Sequence, residues 1–433
     1  MSIDSLRPEI IIVGGGIAGC ATAYYLARAG MQVLVLDKGD IGYEQSTRNW
    51  GWVHQQVRYP HLIGLGMRSV ALWQGLEREL GAALEWRQGG NATLARDAAE
   101  LAELEDIAAH AQAVGLDATM VDRGVLETRL PRLGNAVVGG LWVPSDGQAN
   151  PALVTAAFAT AAGGLGAEFR SQCAVYGIET DGGRATGVRT EQGVVRAPRV
   201  LLAAGAWTAR LLRPLRVRFP QRSVRATVVR TEPAPPCTAA TGWGDAFAFR
   251  QDAAGRFVLA GGIASVIDVD LDTLRHFREF APIAWQNRRS LKVRIGRRLW
   301  KDVLGALPGT NERAAYWQRR RAVDPEPLPG VAEHTLGKLH EAFPELPPLA
   351  IEARWAGYID STPDQAPAIG PVPGVEALHV LSGLSGHGFA LGPAAAELQA
   401  ALILGDSPEV DTKPFRFERF AERDLPILRA PRR

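Results

Sequence analysis

The sequence predicts an α/β fold, a parallel-sheet domain with an antiparallel-sheet α+β domain interleaved into it, on three observations. A β-branched run, Ile10–Val13, leads into three spaced glycines. A second unbroken apolar run, Val200-Leu-Leu-Ala-Ala-Gly205, ends on a turn in the same way. Residues 214–262 switch to short alternating segments, the pattern of an antiparallel sheet with one wet face.

The first element decides most. Ile10–Val13 suits a strand buried on both faces. Gly14, Gly16 and Gly19 form G-x-G-x-x-G. The first glycine allows the tight turn, the second lets the backbone approach a pyrophosphate, and the third lets the next helix lie close on the strand. Ile17 and Ala18 open that helix on the phosphate side, Gly30 stops it, and Val33–Leu36 is a second strand ending at Asp37. Asp37 lies 23 residues past Gly14, where a ribose hydroxyl acceptor belongs. A glycine-rich turn in an ordinary α/β domain explains the glycines but leaves Asp37 a coincidence. The order of parts predicts dinucleotide binding.

At 433 residues two domains are expected. The net charge is +2 and only five of the 48 basic residues are lysine, a bias that does not point to nucleic acid despite clusters at 294–298 and 319–321. No apolar run reaches the roughly 20 residues of a membrane span, and residues 1–8 carry no leader-like run, so the expectation is a cytoplasmic protein with no integral membrane segment. Three scattered cysteines make neither a disulfide framework nor a metal knuckle, and no histidine spacing suggests a metal.

In chain order, 38–60 reads as a loop next to the phosphate turn, and Leu62–Leu80 as an amphipathic helix. Leu84–Leu94 reads as a strand pair around Gly89-Gly90, followed by a helix through Leu101, Leu104 and Ala108. Pro151 opens a helix at 151–163, and Ala174–Glu179 with Ala185–Thr190 form a hairpin. Arg216-Val-Arg-Phe, Val224–Arg230, Phe247–Arg250 and Phe257–Gly262 supply antiparallel strands. Residues 272–345 read as helix-rich, and the chain closes with the strand Leu378–Leu381, the turn 382–388 and the helix Phe389–Leu404.

Three stretches together resemble the D-amino acid oxidase, glycine oxidase and sarcosine oxidase family of FAD-dependent oxidoreductases. They are the fingerprint above, Val200-Leu-Leu-Ala-Ala-Gly-Ala-Trp-Thr208, and Trp355-Ala-Gly-Tyr-Ile-Asp-Ser-Thr-Pro-Asp364 with Pro367-Ala-Ile-Gly-Pro371 and Ser385-Gly-His-Gly-Phe389. The resemblance implies a Rossmann-like FAD-binding domain of the glutathione reductase type, made of 1–82, 146–213 and 346–433. It implies a substrate-binding domain made of 83–145 and 214–345. It places Lys38, Val175, Ala204, Gly205 and Trp207 beside the cofactor, along with Gly357 and Asp364. It also sets the helix after Gly386, His387, Gly388 and Phe389 at the pyrimidine edge of the flavin, where the plainer reading is a cap on a core helix. Ser46, Arg48, Asn49 and Trp50 take the place of pyrophosphate and flavin contacts. Trp50, Trp52, His54 and Arg58 either line the pocket or lie under the loop.

The family's carboxylate-binding arginine and its proline are replaced here by Ile359 and Asp360, and the tethering cysteine of one sarcosine oxidase type is absent, so the FAD is expected to be non-covalent. Arg58 and Arg250 are then the candidates for a substrate acid group, with Tyr358 as a hydrogen-bond partner and His54 as a candidate base. The expected function is oxidation of the CH–NH bond of an amine or amino acid by hydride transfer to flavin N5, with oxygen or a redox partner as acceptor. The alternative is a 2-hydroxy acid or polyol dehydrogenase, which needs a base such as His54. A non-enzymatic flavoprotein is the remaining class.

Overall fold

The computed structural model describes residues 7–244, 247–261, 265–286, 291–296, 299–300, 303 and 321–422. The β-branched run Ile10–Val13 (β1) sits inside a sheet ordered Ala368–Pro371, Leu378–Ser382, Val200–Leu202, β1, Val33–Leu36 (β2), Glu168–Arg170. All neighbours run parallel except Ala368–Pro371, which is antiparallel to Leu378–Ser382. Every residue of β1 and β2 is buried, because alternate side chains enter two different cores. Ile10, Ile12, Val33 and Val35 face the helices Ile17–Arg28 (α1), Pro151–Gly164 and Gly388–Leu404. Ile11, Val13, Leu34 and Leu36 face a three-stranded antiparallel sheet, Val175–Asp181, Arg184–Thr190 and Gly193–Arg196, through Ile178, Val188 and Val195.

The second large sheet is antiparallel for most of its width. Its spine is Arg222–Pro233, which pairs along one edge with Arg256–Gly261 and along the other with Ile351–Ser361, from Arg222 opposite Ser361 to Thr231 opposite Ile351. Segment 83–145 adds Asn91–Ala95, Thr119–Asp122 and Gly139–Val143. Phe249, Phe257 and Leu259 meet Leu339 of the helix Val331–Ala342 behind it, and Phe343 just past that helix. A boundary at 346 therefore falls just before a strand that hydrogen-bonds into this second sheet, and the chain returns to the parallel sheet only at Ala368. No helix among the described residues is long and apolar enough to cross a membrane.

Four local readings change. Leu84–Leu94 holds one strand, Asn91–Ala95, not two; Gly89 instead crosses Ala239, where a Cβ would lie 1.9 Å from the carbonyl oxygen. Arg216-Val-Arg-Phe is not a strand, since Arg216 has φ +60° after a 3-10 turn. The loop 38–60 contains the one-turn helix Gln45–Arg48 and the strand Trp52–Val53, which pairs with Gly147–Gln148. The helical stretch 272–345 also carries an edge strand, Leu291–Arg294; parts of it, and of both arginine clusters, lie outside the described residues.

The C-terminal segment is pinned by one buried ion pair. Arg419 Nε donates to Asp364 Oδ2 at 2.7 Å with both side chains 0% exposed, and the guanidinium also reaches the carbonyls of Ala366, Phe415 and Arg416. Arg419→Met leaves the Asp364 carboxylate buried and unpaired, at a cost of about 3–5 kcal/mol. Urea unfolding is expected to show the midpoint falling accordingly; an unchanged midpoint contradicts this role.

Candidate functional site

A cleft of about 860 Å³ opens between the two large sheets, within the roughly 300–1,000 Å³ of small-molecule and cofactor sites. It begins at the turn after β1. Gly14 has φ +112°, and a Cβ there would stand 2.3 Å from Ala203 O. A Cβ on Gly19 would stand 1.9 Å from Gly14 O, so α1 rests directly on the turn. Ser46 Oγ accepts from Ile17 N at 2.9 Å, and a Cβ on Gly16 would sit 2.9 Å from the same oxygen. The N-terminus of α1, about half a positive charge, thus borders the cleft with Gly16, Ile17 and Ala18 in its wall.

Asp37 closes β2. Its Oδ2 accepts from Gly15 N at 2.7 Å and its Oδ1 from Gly39 N at 2.8 Å. Burial raises its pKa above the ordinary carboxylate value, and these two N–H groups only partly oppose that. Lys38 Nζ lies 2.6 Å from Glu44 Oε1 and 4.6 Å from the centre of the Trp207 ring, whose Nε1 donates to Glu44 Oε2 at 3.1 Å. Glu44, which nothing in the sequence singled out, holds both. Val175, Ala204 and Gly205 complete this wall.

A second helix N-terminus meets the cleft from the other side. The turn at Gly383, Ser385 and Gly386 runs through φ +76°, +53° and +88° and delivers Gly388–Leu404. That helix lies on α1, where a Cβ on Gly392 would be 3.1 Å from Ile17 Cδ1. Gly386, His387, Gly388 and Phe389 all line the cleft.

The remaining end is aromatic. Trp50 stacks on Trp243 with ring centres 6.0 Å apart, Trp52 meets His54 edge-on at 5.2 Å, and Tyr59 lies 5.1 Å from His387. Burial pulls the pKa of His54 down to about 4 and that of His387 down to about 3, the latter helped by repulsion from His54 and His61. Both imidazoles are neutral at neutral pH. Gln56 Nε2 stands 3.1 Å from His54 Nε2; an amide nitrogen only donates, so that ring nitrogen is an occupied acceptor.

Three expected site residues stand outside the cleft: Gly19, which lies beneath the turn against Gly14, Arg250 and Asp364. Arg250 is buried behind the aromatic loop, donating to Trp50 O and, at 3.1 Å, to Gln148 Oε1, and burial lowers its pKa to about 10. Asp364 is committed to Arg419. Other expected residues reach the wall but spend their polar groups on the fold. Arg58 pairs with Glu103 at 3.0 Å, and Arg48 turns to Val323 O and Asp324. Asn49 braces its loop through Ser46 O and Gly51 N, while Tyr358 donates to Asp268 at 3.1 Å. Gly357 lets the strand pass Arg48, with a Cβ site 3.3 Å from the arginine's Cβ. Asn91, Thr93 and Trp243 line the cleft unforeseen. They lie on strands of the second sheet, and which strand abuts the cleft is set by sheet order, which no local pattern encodes.

A helix N-terminus and the Asp37 carboxylate at one side of a cleft, with neutral aromatic walls at the other, suit a dinucleotide cofactor. The chain belongs to the FAD-dependent oxidoreductase family, matching it over residues 9–402. It is 27% identical over 415 residues to the glycine oxidase of Pseudomonas putida, covering 95% of this chain and 98% of that one. It is 25% identical over 475 residues to a D-amino acid dehydrogenase of Bradyrhizobium diazoefficiens, covering 96% and 99%. In fold it is similar to the L-amino acid deaminase from Proteus myxofaciens, with a TM-score of 0.89 at 24% identity over 96% of this chain and 94% of that one. The protein is therefore an FAD-dependent oxidoreductase of the amino acid and amine oxidase type, and the glycine cradle and paired helix ends fit that cofactor.

Asp37→Ala removes the acceptor at the end of β2 and frees Gly15 N. FAD retention is expected to weaken by about 1.5–3 kcal/mol, the range of a hydrogen bond to a charged group. Dialysis of the purified variant followed by flavin quantification checks it, and full retention removes the ribose role.

Proposed function

We propose that the protein oxidises the CH–NH bond of an amine or amino acid, with hydride passing from the carbon next to nitrogen to flavin N5. The aromatic end of the cleft carries this reading. The faces of Trp50, Trp52 and Trp243 attract an ammonium group on entry. Burial among neutral rings then lowers the pKa of that amine, which exposes the nitrogen lone pair that hydride departure needs. Bound FAD supplies the two-electron acceptor. The chain's own contribution is orientation and exclusion of water. The relatives' names, an oxidase and a dehydrogenase, support amino-acid or amine chemistry and leave oxygen or a redox partner as acceptor. Hydroxy acid oxidation has less support, because the His54 nitrogen nearest Gln56 is already an engaged acceptor.

Segments 1–82, 146–213 and 346–433 form the FAD-binding domain of this proposal, in the glutathione reductase-type arrangement, and 83–145 with 214–345 form the substrate-binding domain. The strand Ile351–Ser361 is the wall they share. None of the three cysteines, Cys20, Cys173 and Cys237, lines the cleft, which supports non-covalent FAD. With Arg250 behind the loop, Arg58, which meets Glu103 through Nη1 alone, is the remaining candidate for a substrate acid group.

Acid precipitation of the purified protein is expected to leave the yellow colour in the supernatant, whereas colour in the pellet means a covalent link. Under nitrogen, amines or amino acids are expected to bleach the flavin and hydroxy acids are not. Arg58→Ala is expected to raise KM several-fold for substrates with an acid group and to spare simple amines. Bleaching by hydroxy acids alone would falsify the amine reading.

A further inference from the structure

Asp360 stands on the shared strand, opposite Ser223, where the family pattern carries proline. Its residue is 7% exposed. Its Oδ2 accepts from Gly383 N at 2.8 Å and lies 3.4 Å from Ser382 Oγ, while its carbonyl accepts from Ser385 N at 2.9 Å. One residue thus holds the 382–388 turn at three points. The network continues behind the cleft. Ser382 Oγ lies 3.1 Å from Gly205 O, and Gln221 Nε2 donates to Gly205 O at 3.0 Å and to Ser382 Oγ at 3.2 Å. Ser385 Oγ accepts from Thr362 N at 3.1 Å and donates to Gly383 O at 3.0 Å. The turn after Val200–Leu202, the turn before the last helix and the shared strand are joined through this knot.

The knot can take a proton on Asp360 without losing a bond, since Gly205 O keeps Gln221 Nε2 as a donor and Ser382 Oγ has a lone pair left to accept from the acid. The Ser382 hydroxyl has a single hydrogen and two acceptors in reach, Gly205 O and the Asp360 carboxylate. A proton on Asp360 satisfies both, because the acid then donates to Ser382 and Ser382 donates to Gly205. Adding negative charge at the flavin's pyrimidine edge, which the same helix end faces, strengthens the case for taking that proton up.

We propose that Asp360 is a positioning residue that fixes the 382–388 turn against the flavin and, by gaining or losing a proton in the knot, sets the flavin reduction potential. This rests on the reading that the turn faces the pyrimidine edge. Burial pushes the Asp360 pKa up to about 6, against the opposing N–H groups of Gly383 and Leu384 and the Ser382 hydroxyl. The sign follows. Above pH 6 the carboxylate is charged, opposes anionic reduced flavin and lowers the potential; below it the acid is neutral and the potential rises. Titratable or charged groups on the elements around it are Tyr358 on its own strand, Arg222 and Arg225 on the partner strand, His387 on the turn, and Arg210 beyond Gly205. Arg225 is paired with Asp268, Arg222 lies over Phe280, Arg210 lies over Trp207, and His387 is neutral across this range.

Asp360→Asn tests it, since the amide oxygen can still accept from Gly383 N and the amide nitrogen can donate to Ser382. The potential of holoenzyme, measured by dye equilibration without substrate, is expected to rise in the variant at pH 8 by at least the equivalent of tenfold in equilibrium constant, about 30 mV for a two-electron couple. At pH 5 parent and variant should coincide. The parent's inflection near pH 6 should vanish in the variant. Equal potentials at pH 8 overturn the proposal. Should Asp360→Asn fail to accumulate, Ser382→Ala is the second test. Loss of a donor to the carboxylate should move the parent's inflection to higher pH, and an unmoved inflection overturns the proposal. Because no substrate is used, neither result depends on whether amines are the reductant.

Discussion

Backbone against backbone at the first turn is the contact on which the rest depends. Gly14 lies so near Ala203, and Gly19 so near Gly14, that neither position has room for a Cβ. That closeness seats α1 on the parallel sheet at its N-terminal end. The last helix then docks on α1 through Gly392 and Ile17, and both helices end at the same cleft. Two half-charges of the same sign converge there, which favours anionic groups at two separate points along one elongated ligand.

The walls divide the labour by charge. Around Asp37 the ionic groups are mutually paired, Lys38 with Glu44 and Arg321 with Glu191. Such pairs fix geometry at part-exposed sites more than they stabilise the fold. At the aromatic end burial leaves the imidazoles neutral and the tryptophans packed on one another. In a low-dielectric pocket any remaining charge acts strongly, which is why a single carboxylate behind the 382–388 turn matters.

The shared strand explains how two sheets serve one site. Ile351–Ser361 hydrogen-bonds the spine of the second sheet along nearly its whole length, then hands the chain to the parallel sheet. Residues 357–360 therefore line the cleft from the second sheet, while the 382–388 turn lines it from the parallel sheet. The pairing leaves little freedom for the sheets to slide, because a register slip of one residue would turn Asp360 away from Gly383.

Local chemistry was legible where one backbone requirement dictates one residue type. The glycine turn, Asp37 at the end of β2, the Pro151 helix start and the hairpin at 175–190 were all readable, since a positive φ, a fixed φ or a two-residue period leaves few alternatives. The aromatic loop was readable as a wall, but the fate of its charges was not. Arg250 carries the same local signature as a ligand-binding arginine, yet its donors serve Trp50 and Gln148. Arg58 is claimed by Glu103, Asp364 by Arg419, and Trp50 finds its stacking partner in Trp243, nearly two hundred positions along. The sequence by itself determined the dinucleotide turn and the family. Only the tertiary structure decided which polar side chains are free for a ligand, because that depends on long-range partners competing for the same hydrogen bonds.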